Sequence, residues 1–172
     1  APTIGEQLVC VGSGSVYPRS GNASFQAVSL LPAGAGAQGL ALAALRAKLE
    51  GEGLFDPTRR KPLPALPKTV GVVTSLSADG LADFLRSRSL RAPGLPILIA
   101  DTAVQGIGAG AGLAAALERL DRSGRCDVIA LIRGGGSSED LLPFSDEALV
   151  RAIAAARTPV VVGVGHEPDQ PL

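Results

Sequence analysis

Over the first forty residues the apolar positions fall in two strand-like runs, residues 7–11 and 24–31, set among Gly, Ser and Ala. Pro18, Ser20, Gly21 and Asn22 stand between them, a cluster that predicts a hairpin with a longer loop. Two strands alone do not make a stable domain. From about Gly39 the period changes: Leu42, Leu45 and Leu49 recur at helical spacing, and the pattern stops at Gly51 and Gly53. A proline-rich connector, residues 57–67, comes next.

Beyond the connector, short apolar runs alternate with helical patterns. Val70–Thr74, residues 97–100 after Pro96, residues 128–132 and Val160–Val164 are continuous apolar runs. Between them, Leu81, Phe84, Leu85 and Arg88, then Leu113, Ala116, Leu117 and Leu120, then Leu149, Ala152, Ile153 and Ala156, recur at helical spacing. Uninterrupted apolar strands joined by helices are what a parallel sheet covered on both faces requires. The predicted fold class is α/β, an open, mainly parallel, doubly wound sheet of the Rossmann-like kind, preceded by a small β portion.

Ligands of such sheets bind beyond the carboxyl ends of the strands, where loops and helix N-termini converge. The residues just past each strand are therefore the informative ones. After the first strand stand Ser75 and, one turn into its helix, Asp83; after the second Asp101, Thr102, Val104, Gln105 and Gly106. After the third comes Arg133-Gly134-Gly135-Gly136-Ser137, and after the fourth Gly165-His166-Glu167-Pro168-Asp169. Chemically capable residues collect on one edge.

Three consecutive glycines let backbone approach a ligand closely and present successive N–H groups, while Arg133 can fork onto phosphate oxygens. Gly134, Gly135, Gly136 and Ser137 are thus the candidate phosphate-binding residues, with a flexible turn and an arginine paired to a carboxylate as the structural counter-reading. Arg133, coming after a strand end, is expected outside the core. Ser137 with Asp140 three residues on also resembles a capping box. His166 is the only histidine, so any imidazole acid–base chemistry runs through it, with Asp169 placed to orient a ring nitrogen. Periodicity makes Asp83 a solvated helix residue. Ser75 reads as a helix cap sooner than as a nucleophile, because no G-x-S-x-G elbow surrounds it.

Composition changes the picture little. The 172 residues are 46% hydrophobic, enough for one core, and carry 16 basic against 16 acidic side chains, so bulk charge does not announce a nucleic-acid binder. Basic residues bunch at Arg59, Arg60 and Lys61 and again at Arg86, Arg88 and Arg91, as solvated surfaces often do. Cys10 and Cys126 fit neither a disulfide framework nor a metal spacing and read as buried small hydrophobes. No apolar run is long enough for a spanning helix and no signal pattern opens the chain, which predicts a cytoplasmic protein. The absence of Met and the opening inside a strand-like run predict an excised fragment.

Taken together, these strings resemble one family. Lys48-Leu49-Glu50, Glu52-Gly53-Leu54-Phe55-Asp56, Lys61-Pro62-Leu63-Pro64, Gly71-Val72-Val73-Thr74-Ser75 and Ala103-Val104-Gln105-Gly106 are similar to the linker and first strands of the exodeoxyribonuclease VII large subunit. So are Arg133-Gly134-Gly135-Gly136-Ser137 with Glu139-Asp140-Leu141, Phe144 with Asp146-Glu147, and Val164-Gly165-His166-Glu167 with Asp169. Residues 6–36, with Val16-Tyr17 and the Pro32-Ala33-Gly34 turn, resemble the last strands of that family's OB-fold. Pro168 stands where the family commonly has threonine.

The resemblance implies three regions: residues 1–38 as the end of an incomplete OB-fold, 39–68 as helix and linker, and 69–172 as a catalytic α/β domain truncated at its C-terminus. It implies a nuclease that degrades single-stranded DNA from both ends to short oligonucleotides with 5′-phosphates. Its cleavage positions fall on Asp83, Arg133, His166 and Asp169. A partner small subunit is implied too, recruited by a helical segment beyond Leu172. Asp83 and Asp169 are candidate ligands for Mg²⁺, which typically keeps several waters and takes one or two carboxylates; a metal-free reaction stays equally open. The alternative from another class is a phosphate- or nucleotide-binding module that holds its ligand without cleaving it.

Overall fold

The computed structural model describes residues 8–16, 23–135, 139–165 and 171–172. Two compact units divide the chain, Ala1–Lys48 and Leu49–Leu172. In the first, β1 (Leu8–Val16) pairs antiparallel with β2 (Ala23–Pro32). Val11 opposes Ser29 and Gly12 opposes Ala27, so β2 carries one extra residue at that point, a β-bulge. Helix α1 (Ala33–Gly51) begins directly after Pro32, six residues before the expected start at Gly39. The glycines of Ala33-Gly34-Ala35-Gly36-Ala37 disguise a run whose alternating alanines are the best helix formers.

The second unit is built on a four-stranded parallel sheet, β3 (Val70–Thr74), β4 (Ile97–Asp101), β5 (Val128–Arg133) and β6 (Val160–Val164), in the order β4-β3-β5-β6. Helices α2 (Asp79–Arg91), α3 (Ala109–Ser123) and α4 (Glu147–Ala155) connect them, with a 3-10 turn, Glu139–Ser145, before α4. The doubly wound expectation holds because alternate residues of one strand serve opposite faces. Val73, Ile129 and Leu131 pack with Leu113, Leu117 and Leu149 of α3 and α4, whereas Val72 and Ala130 pack with Leu81 and Phe84 of α2. Each fully buried leucine contributes about 1.5–3 kcal/mol. Gly71 leaves room for Cys126, whose sulfur would lie 2.9 Å from a Cβ there. Cys126 is a free, buried thiol, as expected, and burial raises its pKa; the side chain of Cys10 lies outside the described residues.

From β3 the chain moves outward to β4, then crosses back over β3 to β5 and continues to β6. The direction of winding reverses between β3 and β5, and the crevice of an open α/β sheet opens at such a reversal. The other ends of the same two strands are latched. The Asp127 carboxylate accepts from the Lys68 and Thr69 amides at 2.6 and 2.9 Å, and the Asp127 amide donates to the Thr69 carbonyl at 3.0 Å. Among the described residues no helix is long and apolar enough to cross a membrane.

Candidate anion-binding active site

At the carboxyl ends of the strands lies a cavity of about 380 Å³. Its wall comes from three loops: Ser75, Ser77, Ala78 and Asp79 after β3, Ala103 to Gln105 after β4, and Arg133 with Gly134 and Gly135 after β5. A larger groove of about 470 Å³ lies elsewhere, between residues 54–63 and the start of β6. The smaller cavity is the one that sits at the winding reversal and contains a buried arginine.

Arg133 ends β5 and is only 7% exposed, which corrects the expectation that it lies outside the core. Its Nη2 donates to the Gln105 Oε1 at 3.3 Å and pairs with the Asp140 carboxylate at 3.2 Å. Its Nη1 is buried with no hydrogen-bond partner among the described residues, and so is the Thr74 hydroxyl at the end of β3. A buried N–H of a charged group without an acceptor is costly. An anion in the cavity would supply that acceptor.

The remaining walls are backbone. A Cβ on Gly80 would stand 2.6 Å from the Gly134 nitrogen, so the start of α2 lies directly against the glycine loop. Among the described residues no side chain caps that helix, whose N-cap is Ala78. Its first amides thus lack a side-chain acceptor, and the positive end of the helix dipole lies beside the loop. The expected cap, Ser75, instead meets Ser77, hydroxyl to hydroxyl at 3.0 Å, because the loop spends three further residues before the helix starts at Asp79. The Asp101 carboxylate accepts from the Leu76 amide at 3.0 Å, tying the loop after β3 to the end of β4.

Of the residues singled out from sequence, the structure brings Arg133, Gly134 and Gly135 to one cavity wall. Asp83 is exposed on α2 and does not line that cavity. Gly136, Ser137, His166 and Asp169 lie outside the described residues, and with Ser137 the expected capping box. The chain leaves β6 through Gly165 at φ 67°, a left-handed turn glycine adopts without strain. Among the described residues no three His, Cys, Asp or Glu side chains gather as metal ligands. Sequence reasoning did not single out Gly80, nor Gln105 and Asp140 as the partners of Arg133; the glycine triplet was the one signal pointing to this wall.

Residues 54–172 match the sequence profile of the family described as exonuclease VII, large subunit. The chain belongs to that family. It is 44% identical over 171 residues to the exodeoxyribonuclease 7 large subunit of a Cyanothece species, covering 99% of this chain and 40% of the relative. It is 48% identical over 168 residues to that of Thiobacillus denitrificans, covering 98% and 37%, and 45% identical over 168 residues to that of Mycobacterium tuberculosis, covering 98% and 40%. The chain therefore spans about two fifths of the length of these large-subunit relatives.

Proposed function

We propose that the α/β unit is the phosphate-gripping catalytic core of an exodeoxyribonuclease that hydrolyses single-stranded DNA from both ends to short oligonucleotides bearing 5′-phosphates. The observation that carries this reading is the buried Nη1 of Arg133, without a hydrogen-bond partner among the described residues, at the carboxyl end of a central strand in a chain whose relatives are named exodeoxyribonucleases.

Hydrolysis that leaves a 5′-phosphate forms a bond from a water oxygen to phosphorus and breaks the bond from phosphorus to the 3′ oxygen. One proton leaves the water and one reaches the departing oxygen, while negative charge grows on the non-bridging oxygens. Arg133, with amides from Gly134 through Gly136 and the Ser137 hydroxyl, is proposed to hold those oxygens. Donors fixed in a pocket shielded from water stabilise such charge without reorganising. His166 is proposed to move the proton, oriented by Asp169; Asp83, exposed on α2 and not lining the cavity, is proposed to assist the water from that helix, whose start abuts the glycine loop. Asp83 and Asp169 would also be the ligands of a Mg²⁺ ion, which would supply further charge neutralisation at the phosphate; the reaction without a metal needs neither in that capacity.

Residues 1–38, in which the strands end at Pro32 and α1 begins at Ala33, are proposed as the end of an OB-fold that grips the DNA, with 39–68 as the linker to the catalytic residues 69–172. A small subunit is the proposed partner, since the relatives are named large subunits. The proposed work is cytoplasmic, a reading supported by the bacterial origin of the relatives and by the proposed DNA substrate. The test is gel analysis of end-labelled single-stranded DNA with full-length large and small subunits, with and without EDTA. Short labelled products are expected; binding without cleavage would overturn the reading. The 172-residue chain alone should cleave poorly at equal concentration and low salt, because it has zero net charge, one Tyr, four Phe and no Trp with which to capture a polyanion and stack its bases.

A further inference from the structure

We infer that Gln105 is a positioning residue for Arg133, holding the guanidinium plane so that Nη1 faces the reacting phosphate. The inference rests on the proposed anion site. A guanidinium has two N–H groups on each terminal nitrogen. Among the described residues both acceptors on Arg133 meet the same one: Gln105 Oε1 at 3.3 Å and Asp140 Oδ2 at 3.2 Å both lie on Nη2. They come from separate elements, the loop after β4 and the 3-10 turn after β5. Gripping one corner from two directions fixes the rotation of a planar, rigid group and leaves the other corner for a ligand.

The two acceptors differ in purpose. Asp140 carries the countercharge that a buried arginine needs, and losing it would disturb folding as well as function. Gln105 is neutral and exposed, so its removal leaves no buried charge unmatched. Whatever Gln105→Ala loses therefore reports orientation. Gly106, directly after Gln105, has a φ of 90°, a turn that a residue with a side chain rarely adopts.

The experiment uses the full-length large subunit with its small subunit and measures kcat, KM for single-stranded DNA and the melting midpoint. Gln105→Ala should lower kcat about tenfold, the rate equivalent of one hydrogen bond to a charged group, with KM and melting unchanged. Gln105→Glu keeps the acceptor and should keep most of kcat, while its added charge repels the polyanion and raises KM. The inference is overturned by wild-type kcat in Gln105→Ala, by a fall in melting that accompanies the loss of rate, or by Gln105→Glu as slow as Gln105→Ala. Arg133→Ala is the control: wild-type cleavage by that variant would remove the anion site itself, whereas a slow Arg133→Ala beside a fast Gln105→Ala removes only the positioning role.

Discussion

Gly80, near the start of α2, and Gly134, first residue of the glycine loop, touch backbone to backbone: a Cβ on Gly80 would lie 2.6 Å from the Gly134 nitrogen and 3.0 Å from the Arg133 carbonyl carbon. Neither neighbour is the yielding end of a side chain. Gly80→Ala must separate the helix from the loop, as overpacking does, at a cost of about 1–3 kcal/mol. We expect a lower melting midpoint together with a lower kcat, because the displaced atoms form the wall of the cavity. A wild-type melting curve would mean the contact is looser than its geometry states.

Arg133→Ala should lower kcat about a hundredfold or more, since a charge-assisted contact to a transition-state phosphate is worth on the order of 2–4 kcal/mol. Burial adds a second expectation. The side chain is packed and paired with Asp140, so the variant should also melt earlier. Arg133→Lys keeps a charge but not the planar fork and should stay slow. Steady-state kinetics beside a thermal melt separates the two effects.

His166→Ala should abolish cleavage while leaving affinity for single-stranded DNA near wild type, because its proposed task is proton transfer and not binding. Fluorescence anisotropy with an oligonucleotide and single-turnover cleavage report the two quantities separately. Equal losses in both would reassign His166 to binding.

Asp121, at the end of α3, accepts from the Arg157 amide at 3.0 and 3.1 Å and from the Thr158 amide at 2.8 Å, fixing the entry to β6. Burial is the largest single influence on its carboxyl and pushes the pKa up, but these amides with the Thr158 hydroxyl and the Arg157 charge outweigh it, and the net pKa is lowered. A depressed folded-state pKa gives stability that is complete above the unfolded value, about 3.9, and is lost as pH falls through the folded one. Asp121→Asn should therefore melt earlier at pH 7, by about 1–2 kcal/mol in stability. The gap from wild type should close below about pH 4. A gap that stays constant down to acid pH would show that the charge is not what matters.

The sheet was legible because β3 to β6 are apolar, β-branched runs punctuated by proline and glycine, a local signal with few alternative readings. The start of α1 was not, since glycines interleaved with alanines look like a turn. That Arg133 stands at the sheet's edge beside a glycine loop was legible from the triplet after it. Its burial and its partners were not, because they depend on tertiary packing that brings it to Gln105, 28 residues earlier in the chain, and to Asp140. Gly80 carried no signal: a lone glycine in the first turn of a helix is ordinary until another backbone is found against it.

The latch at Asp127 bears on how this fold is reached in time. Lys68 and Asp127 are 59 residues apart, and everything between them, α2, β4 and α3, must be threaded before β3 and β5 can lie side by side. Joining distant segments costs loop-closure entropy before any contact repays it, and non-local parallel pairing is slow for that reason. The cavity forms at the far ends of the same two strands, so it is assembled by the step that closes this long loop. Asp127→Ala, which keeps the strands but releases the latch, should slow refolding in stopped-flow measurements if the latch forms in the transition state, and speed unfolding if it forms afterwards. In either case the wall that carries Arg133 is not assembled beside the loop after β3 until β5 has found β3.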